Sequence, residues 1–256
     1  MIRYHIYMNN NIINWNIVKL DQIDSTNNYA KELIRHKKAG NGTLVITGFQ
    51  SDGRGMHGNT WESEPGSNLT FSIILYPDWI KAERLFYISK FISLSVFDFL
   101  KTILTDVTIK WPNDIYAGDK KIAGILIENE IIRDSINYSV IGIGLNVNQD
   151  HFTKKTSNPV SMKILTGKLF NLDELLNGLL TCLEKRYEEL KSENYAKIAT
   201  DYLNHLYRFD KLYDYKTEQG IIKARIIAVG RSGELVLCTD DSKIVSYMFK
   251  EIRFVD

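Results

Sequence analysis

The chain has 256 residues, and its 32 Lys and Arg nearly balance its 31 Asp and Glu, for a formal net charge of +1. This balance argues against a protein that binds nucleic acid mainly through charge, because such proteins carry a basic excess. Two cysteines cannot form a disulfide framework, which fits a reducing cytoplasm. No secretory signal opens the sequence and no stretch approaches about 18 uninterrupted apolar residues, so we expect a cytoplasmic protein without a membrane span.

Strand and helix signals alternate irregularly over most of the chain. Short apolar or alternating segments predict strands, whereas apolar residues that recur at helical spacing predict helices packed on a core. A polar stretch at 150–160 predicts a loop. The predicted strands are 16–20, 43–49, 69–75, 108–111, 122–128 and 139–146, and the predicted helices are 27–38, 81–104, 172–187 and 195–207.

The pattern changes after Phe209, where short strand signals follow one another closely. Glycines and an Asp-Asp pair separate them, and closely spaced short strands with such turn residues are typical of a small β-barrel. We therefore expect two domains, at residues 1–209 and 210–256. The predicted strands of the second domain are 211–215, 221–229, 234–239, 243–248 and 251–255.

The densest motif is Gly-Arg-Gly-Met-His-Gly-Asn-Thr-Trp at residues 53–61. It contains G-x-G-x-x-G and nearly matches the Walker A pattern, but Asn59 stands where that pattern needs a lysine. Both nucleotide-binding motifs also need a helix directly after the glycines, and residues 62–68 make a poor helix. Arg54 and Trp61 favour a loop that folds over an anionic ligand, with an ordinary surface loop as the alternative.

Three further segments place polar residues or glycines beside buried strands. Each alone has an ordinary explanation: a β-turn, a solvated charge pair before a strand, or glycines that allow close packing. The segments are Lys-Trp-Pro-Asn-Asp at 110–114, Lys-Lys-Ile-Ala-Gly-Ile-Leu at 120–126 and Ile-Gly-Ile-Gly-Leu-Asn at 141–146.

Together these segments resemble one family, the biotin protein ligases (biotin–[acetyl-CoA-carboxylase] ligases), and they occur in that family's order. The family carries D-S-T-N, a glycine-rich biotin loop preceded by Gln, K-W-P-N-D, K-[LI]-A-G-I-L-x-E and G-[IA]-G-[IL]-N. The matching residues here are 24–27, Gln50 with 53–61, 110–114, 121–128 and 142–146.

The resemblance implies an α+β fold: a class II synthetase-like catalytic domain with a mixed or antiparallel sheet and flanking helices, plus a small C-terminal SH3-like β-barrel. It implies that ATP and Mg²⁺ activate biotin to biotinyl-5′-AMP, and that biotin then passes to a lysine of a biotin carboxyl carrier protein. No tightly bound prosthetic group is expected, and the protein is a monomer or a homodimer. No room exists for a winged-helix domain before Ile17, so we expect the monofunctional type, with neither DNA nor a membrane as partner.

The resemblance also implies roles for particular residues. Asp114 is a candidate to orient or deprotonate the acceptor lysine, whereas metal ligands stay unassigned. Met56 departs from the family, which often carries Arg or Gln there. The implied catalytic residues are Lys121, Arg54, Lys110 and Asp114; the biotin-binding residues are Ser25, Thr26, Asn27, Gln50, Gly53, Arg54, Gly55, Met56, Trp61, Lys121 and Gly124; the nucleotide-binding residues are Arg54, Lys110, Asn113, Lys121 and Asn146.

Two alternative functions stay open at this point. A lipoate or octanoate ligase would share the broad fold, although the glycine-rich loop and the Lys110–Asp114 segment favour biotin. A non-enzymatic regulator that binds biotin or its adenylate is the second alternative. The near-neutral charge and the lack of a DNA-binding module count against it.

Overall fold

The computed structural model describes residues 2–6, 12–153 and 158–255, with residues 2–6 and His57 described through the backbone alone. The predicted loop at 150–160 therefore lies partly outside the described residues, and its described ends carry no regular helix or strand. Within these ranges, the fold has two sheets and five α-helices. No helix in the described ranges is both long and apolar enough to cross a membrane.

The first sheet has eight strands in the order β1-β2-β3-β4-β8-β7-β6-β5. β2 and β3 pair in parallel, and every other neighbouring pair is antiparallel, which confirms the predicted mixed sheet. The strands are β1 (Ile2–Ile6), β2 (Trp15–Ile23), β3 (Thr43–Gln50), β4 (Leu69–Leu75), β5 (Val107–Lys110), β6 (Asp114–Ala117), β7 (Lys120–Ile132) and β8 (Ser135–Leu145).

Helices cover both faces of this sheet. The first helix contacts β3, β4 and β8 on one face, and the second, fourth and fifth helices pack together on the other, where the larger apolar core lies. Successive side chains of β4 point to opposite faces of the sheet. Leu69, Phe71 and Ile73 pack in the larger core, and Ile74 packs in the smaller one. The helices are α1 (Thr26–Arg35), α2 (Phe86–Lys101), α3 (Met162–Thr166), α4 (Leu172–Lys191) and α5 (Tyr195–Asn204).

The second sheet has five antiparallel strands in the order β12-β11-β10-β9-β13, which confirms the predicted β-segment and is consistent with an SH3-like domain. β12 and β13 lie at the two edges of this sheet and do not form a ladder with each other in the described chain. The strands are β9 (Tyr213–Thr217), β10 (Gly220–Val229), β11 (Leu235–Thr239), β12 (Ile244–Tyr247) and β13 (Ile252–Phe254).

A buried lysine links helix α2 to the second sheet. Lys90 of α2 is 2% exposed, and its Nζ donates to the carbonyl of Val229 at 3.3 Å and lies 4.7 Å from the ring centroid of Tyr87. Burial lowers the pKa of Lys90 to about 8, although the charge of Glu234 opposes this shift. The cation therefore carries a burial cost that the aromatic ring and the carbonyl only partly offset.

This burial predicts a pH-dependent stability. Above about pH 8 the folded state loses the Lys90 proton, while the unfolded chain keeps it until about pH 10, so the free energy of unfolding should rise with pH across this window. Urea unfolding at pH 7 to 10 should show that gain in the wild type and not in Lys90→Met. Lys216→Met, at an exposed position of β9, is the control. A constant difference between wild type and Lys90→Met at all pH values would contradict the prediction.

Candidate active site

One row of paired residues crosses six strands of the large sheet on the face that α1 covers. The row runs through the register pairs that link neighbouring strands, and directly paired residues point to the same face. Its order is Thr47, Thr70, Gly144, Gly124, Asp114 and Lys110. A second row, Val45, Ser72, Gly142 and Leu126, runs beside it.

A cavity lies over these rows, between the start of α1, the loop at 53–61 and strands β7 and β8. It gathers residues that are distant in sequence and includes most of the predicted site. The predicted residues in its lining are Ser25, Thr26, Asn27, Gln50, Arg54, Gly55, Met56, Trp61, Asn113, Asp114, Lys121 and Gly124. Residues that sequence reasoning did not assign to the site also line it: Asn59, Thr60, Thr70, Phe71, Ile125, Leu126, Gly142, Ile143 and Gly144.

Three predicted residues lie outside this lining. Gly53 closes the base of the loop, where its carbonyl accepts a bond from the Trp61 amide at 2.8 Å and a Cβ would lie 2.4 Å from the Trp61 oxygen. Lys110 is the register partner of Asp114, so it continues the row beyond the cavity, and its Nζ donates to Tyr116 Oη at 2.8 Å. Asn146 follows β8 and donates to the carbonyl of Val160 at 3.1 Å.

The middle of the cavity has a glycine floor covered by Trp61. A Cβ on Gly144 would lie 2.2 Å from Trp61 Cε2, and one on Gly124 would lie 3.0 Å from Trp61 Cζ3. A Cβ on Gly142 would lie 2.4 Å from Asn27 Oδ1. The paired glycines of β8 thus allow the close approach that the sequence indicated. The approaching side chains are Trp61 of the loop and Asn27 of α1.

The end of the cavity beside β3 and β4 is polar and uncharged. Gln50 Oε1 accepts bonds from the Thr26 amide at 2.7 Å and from Thr26 Oγ1 at 3.0 Å. Ser72 Oγ lies 2.7 Å from Thr26 Oγ1 and 2.6 Å from Asn27 Oδ1. Because Thr26 holds the oxygen of Gln50, the amide nitrogen of Gln50 is the end that can donate to a ligand carbonyl.

The end beside β6 and β7 is charged. Lys121 Nζ lies 2.7 Å from Asp114 Oδ1 and 5.8 Å from the centroid of Trp61. The side chains of Lys121 and Asp114 are 27% and 23% exposed, so the pair is only partly screened by solvent. Asn113 adds an amide that donates to the carbonyl of Ile125 at 2.6 Å, which ties the loop after β5 to β7.

Glu128 links the glycine-rich loop to α1. It accepts from Arg54 Nη2 at 3.1 Å, from Asn27 Nδ2 at 2.9 Å and from Lys31 Nζ at 2.5 Å. Burial raises the pKa of Glu128, but the bonds from Lys31 and Asn27 and the charges of Lys31 and Arg54 outweigh it and hold the pKa below its usual value. Arg54 is therefore held at the cavity rim by an ionised carboxylate, with Asn28 Oδ1 at 2.9 Å as a further acceptor.

Comparison with known proteins agrees with this geometry. Residues 20–146 match the model of the biotin/lipoate A/B protein ligase family. The bifunctional ligase/repressor BirA of Bacillus spizizenii is 29% identical over 236 residues, which cover 90% of this chain and 71% of that protein. The biotin–[acetyl-CoA-carboxylase] ligase of Paracoccus denitrificans is 25% identical over 227 residues, which cover 85% of this chain and 92% of that protein.

A solved structure shows the same fold. The biotin protein ligase from Aquifex aeolicus in complex with biotin and ATP superposes with a TM-score of 0.78 at 25% sequence identity. The superposition covers 93% of this chain and 99% of that one, so it includes both sheets. With its matched sequence region, its ordered motifs and this shared fold, the chain belongs to the biotin/lipoate A/B protein ligase family.

Proposed function

We propose that this protein is a biotin–protein ligase, which activates biotin with ATP to biotinyl-5′-AMP and transfers the biotin to a lysine of an acceptor protein. The observation that carries the proposal is the order in which neutral polar, apolar and charged groups follow one another along the cavity. A neutral polar end at Thr26 and Gln50 suits a ureido ring, and a cation at Lys121 suits a carboxylate. The indole of Trp61, which lies on the glycine floor between the two ends, offers an apolar surface to a hydrocarbon chain.

The spacing of the two ends supports this assignment. Thr70 and Gly124 lie in one row with β8 between their strands, so about 9–10 Å separates them, at about 4.8 Å per strand. A Cβ on Gly124 would lie 3.2 Å from Lys121 Nζ, which places the ammonium over the β7 end of this row. A substrate with a polar ring and a carboxylate at opposite ends of a short alkyl chain matches that length.

In the first step a carboxylate oxygen of biotin forms a bond to the α-phosphorus of ATP, and the bond to pyrophosphate breaks. Two anions must approach each other, so fixed cations are the main contribution that the protein can make. We assign to Lys121 contact with both the carboxylate and the α-phosphate. We assign the other phosphates to Arg54 at the rim and to Lys110 further along the row.

In the second step the acceptor's lysine amine attacks the carbonyl of the mixed anhydride, the amide bond forms and AMP leaves with the bonding electrons. The amine must lose a proton to react. Asp114 is the carboxylate in the cavity lining, and it contacts Lys121, to which we assign the reacting groups. We assign to Asp114 the orientation of the incoming amine and acceptance of its proton.

Magnesium is the ion that the resemblance implies. Across the described ranges, no group of three or more His, Cys, Asp and Glu side chains is placed to hold a metal. Mg²⁺ is commonly bound by one or two carboxylates together with substrate phosphates. The residues present therefore do not fit a dedicated Mg²⁺ site, and oxygens of ATP would have to supply most of the ligands.

Further parts of the proposal concern the whole protein. We propose a biotin carboxyl carrier protein or domain as the acceptor, and the cytoplasm as the compartment, to which two free cysteines are suited. We assign biotin and ATP binding to residues 1–209, and contact with the Lys110–Asp114 segment to residues 210–256. The bond from Trp111 Nε1 to the carbonyl of Gly233, at 2.9 Å, supports that contact.

Pyrophosphate exchange tests the proposal. With ATP and Mg²⁺, biotin should support exchange of labelled pyrophosphate into ATP, and lipoate or octanoate should support little, because neither offers partners to the Thr26–Gln50 end. Exchange with lipoate but not biotin would assign the protein to the lipoate branch of the family. Tight biotin binding without any exchange would favour a regulator.

A further inference from the structure

Thr70 differs from Thr47 and Ser72, the hydroxyl residues closest to it on the same face of the sheet. Thr47 Oγ1 donates to backbone carbonyls of β2 and β3, at 3.3 Å to Asp21 and 3.0 Å to Phe49. Ser72 Oγ contacts Thr26 and Asn27. Thr70 is 5% exposed, yet its Oγ1 has no hydrogen-bond partner among the described residues.

An unpaired buried hydroxyl is unfavourable, so its position in the molecule needs an explanation. Thr70 lines the cavity, whereas Thr47 does not. In the row across the sheet, Thr70 is the neighbour of Gly144, over which Trp61 lies. Trp61 Nε1 is a second buried polar atom without a partner in the described chain.

Thr70 Oγ1 and Trp61 Nε1 limit which ligand groups can form hydrogen bonds at this end of the cavity. A tryptophan N–H only donates, whereas a threonine hydroxyl both donates and accepts. A ligand group that offers an acceptor and donors close together can pair with both atoms, with the acceptor facing the tryptophan N–H and a donor facing the threonine oxygen. A cyclic urea does so through its carbonyl and its two N–H groups, but a dithiolane ring or an alkyl chain does not.

We propose that Thr70 contacts the substrate and selects for its cyclic urea, with Thr70 Oγ1 accepting a hydrogen bond from a ureido N–H. This inference rests on the proposed function and deepens it, because it names a residue that separates the biotin substrates of the family from its acyl substrates. Thr26 and Gln50 then hold the carbonyl side of the ring, and Thr70 holds an N–H side. Selection follows because a buried partner left unpaired costs more than a missing methylene does.

Calorimetric titration of biotin tests the inference, with the wild type first shown to perform biotin-dependent pyrophosphate exchange. Thr70→Val keeps the volume and removes the hydroxyl, so the Kd for biotin should rise about tenfold, as expected for loss of one buried hydrogen bond. Thr70→Ser should stay within about threefold of the wild type for the same reason. The KM for ATP and the inhibition constant of octanoate should not change in either variant.

Thr47→Val is the matched control, since it removes a buried hydroxyl from the same row outside the cavity lining. If Thr70→Val does not fold, Thr70→Ala lacks the same hydroxyl and replaces it. A biotin Kd within twofold of the wild type in a folded Thr70→Val would overturn the inference and leave the proposed function intact. Equal weakening of biotin, octanoate and ATP would overturn it as well, because that pattern indicates a general structural role. No biotin-dependent exchange by the wild type would overturn the function and the inference together.

Discussion

Lys121→Ala should slow formation of biotinyl-5′-AMP by about 100-fold or more, which is the loss expected when one well-placed electrostatic donor is removed from a reacting anion. Its ammonium lies over the glycine floor at the charged end of the cavity, where carboxylate and α-phosphate must meet. Transfer of biotin from pre-made biotinyl-5′-AMP should be slowed much less, because the two anions are already joined. Single-turnover measurement of each step separates the effects.

Removal of Lys121 also leaves Asp114 without its cation at 2.7 Å, and the remaining negative charge would repel the substrates. The double variant Lys121→Ala/Asp114→Asn removes that repulsion, so we expect it to adenylate faster than Lys121→Ala but still far more slowly than the wild type, because the ammonium is missing. Lys120→Ala is the matched control, since Lys120 is the exposed neighbour on β7. Equal losses in adenylation and transfer would show that Lys121 serves nucleotide binding or folding instead.

The sequence predicted elements best where they are long or clearly alternating. β4 and β8 lie close to the predicted segments, and α4 begins at the predicted Leu172. The predicted helix at 81–104 begins only at Phe86, because residues Ala82–Arg84 form a 3₁₀ turn before it. The sequence did not predict β6, because it begins at the end of a Pro-Asn-Asp turn signal, or α3, because five residues are too few to show a helical periodicity.

The ordered motifs predicted most of the cavity lining. They did not predict residues such as Thr70, which reach the cavity through the pairing register of the strands. Thr70 and Ser72 lie inside an apolar strand, and the alternation of Leu69, Phe71 and Ile73 was the signal that the polar pair faces the other side. Glu128 ends a recognised motif. Its bonds to Lys31 and Arg54 depend on how α1 and the loop cross the sheet, and no local pattern encodes that crossing.

Gly144→Ala should raise the Kd for biotin by roughly tenfold to 100-fold, because overpacking typically costs about 1–3 kcal/mol. The added Cβ would lie 2.2 Å from Trp61 Cε2, so the indole must leave the floor of the cavity. Gly144 does not adopt a left-handed conformation, so the substitution strains packing and not the backbone. Trp61 belongs to a loop outside the two sheets, and we expect the free energy of unfolding to change little.

Alanine substitutions at two further glycines provide a comparison and a control for this result. Gly124→Ala should weaken biotin binding less, because its Cβ would lie 3.0 Å from Trp61 Cζ3 and 3.2 Å from the flexible end of Lys121. Gly40→Ala is the control, since a Cβ there meets no atom within 4 Å. Titration calorimetry with biotin and urea unfolding of the three variants give the comparison. If Gly144→Ala binds biotin as tightly as Gly40→Ala, the position of Trp61 over the glycines is not required for biotin binding. The loop at 53–61 would then complete the cavity from another position.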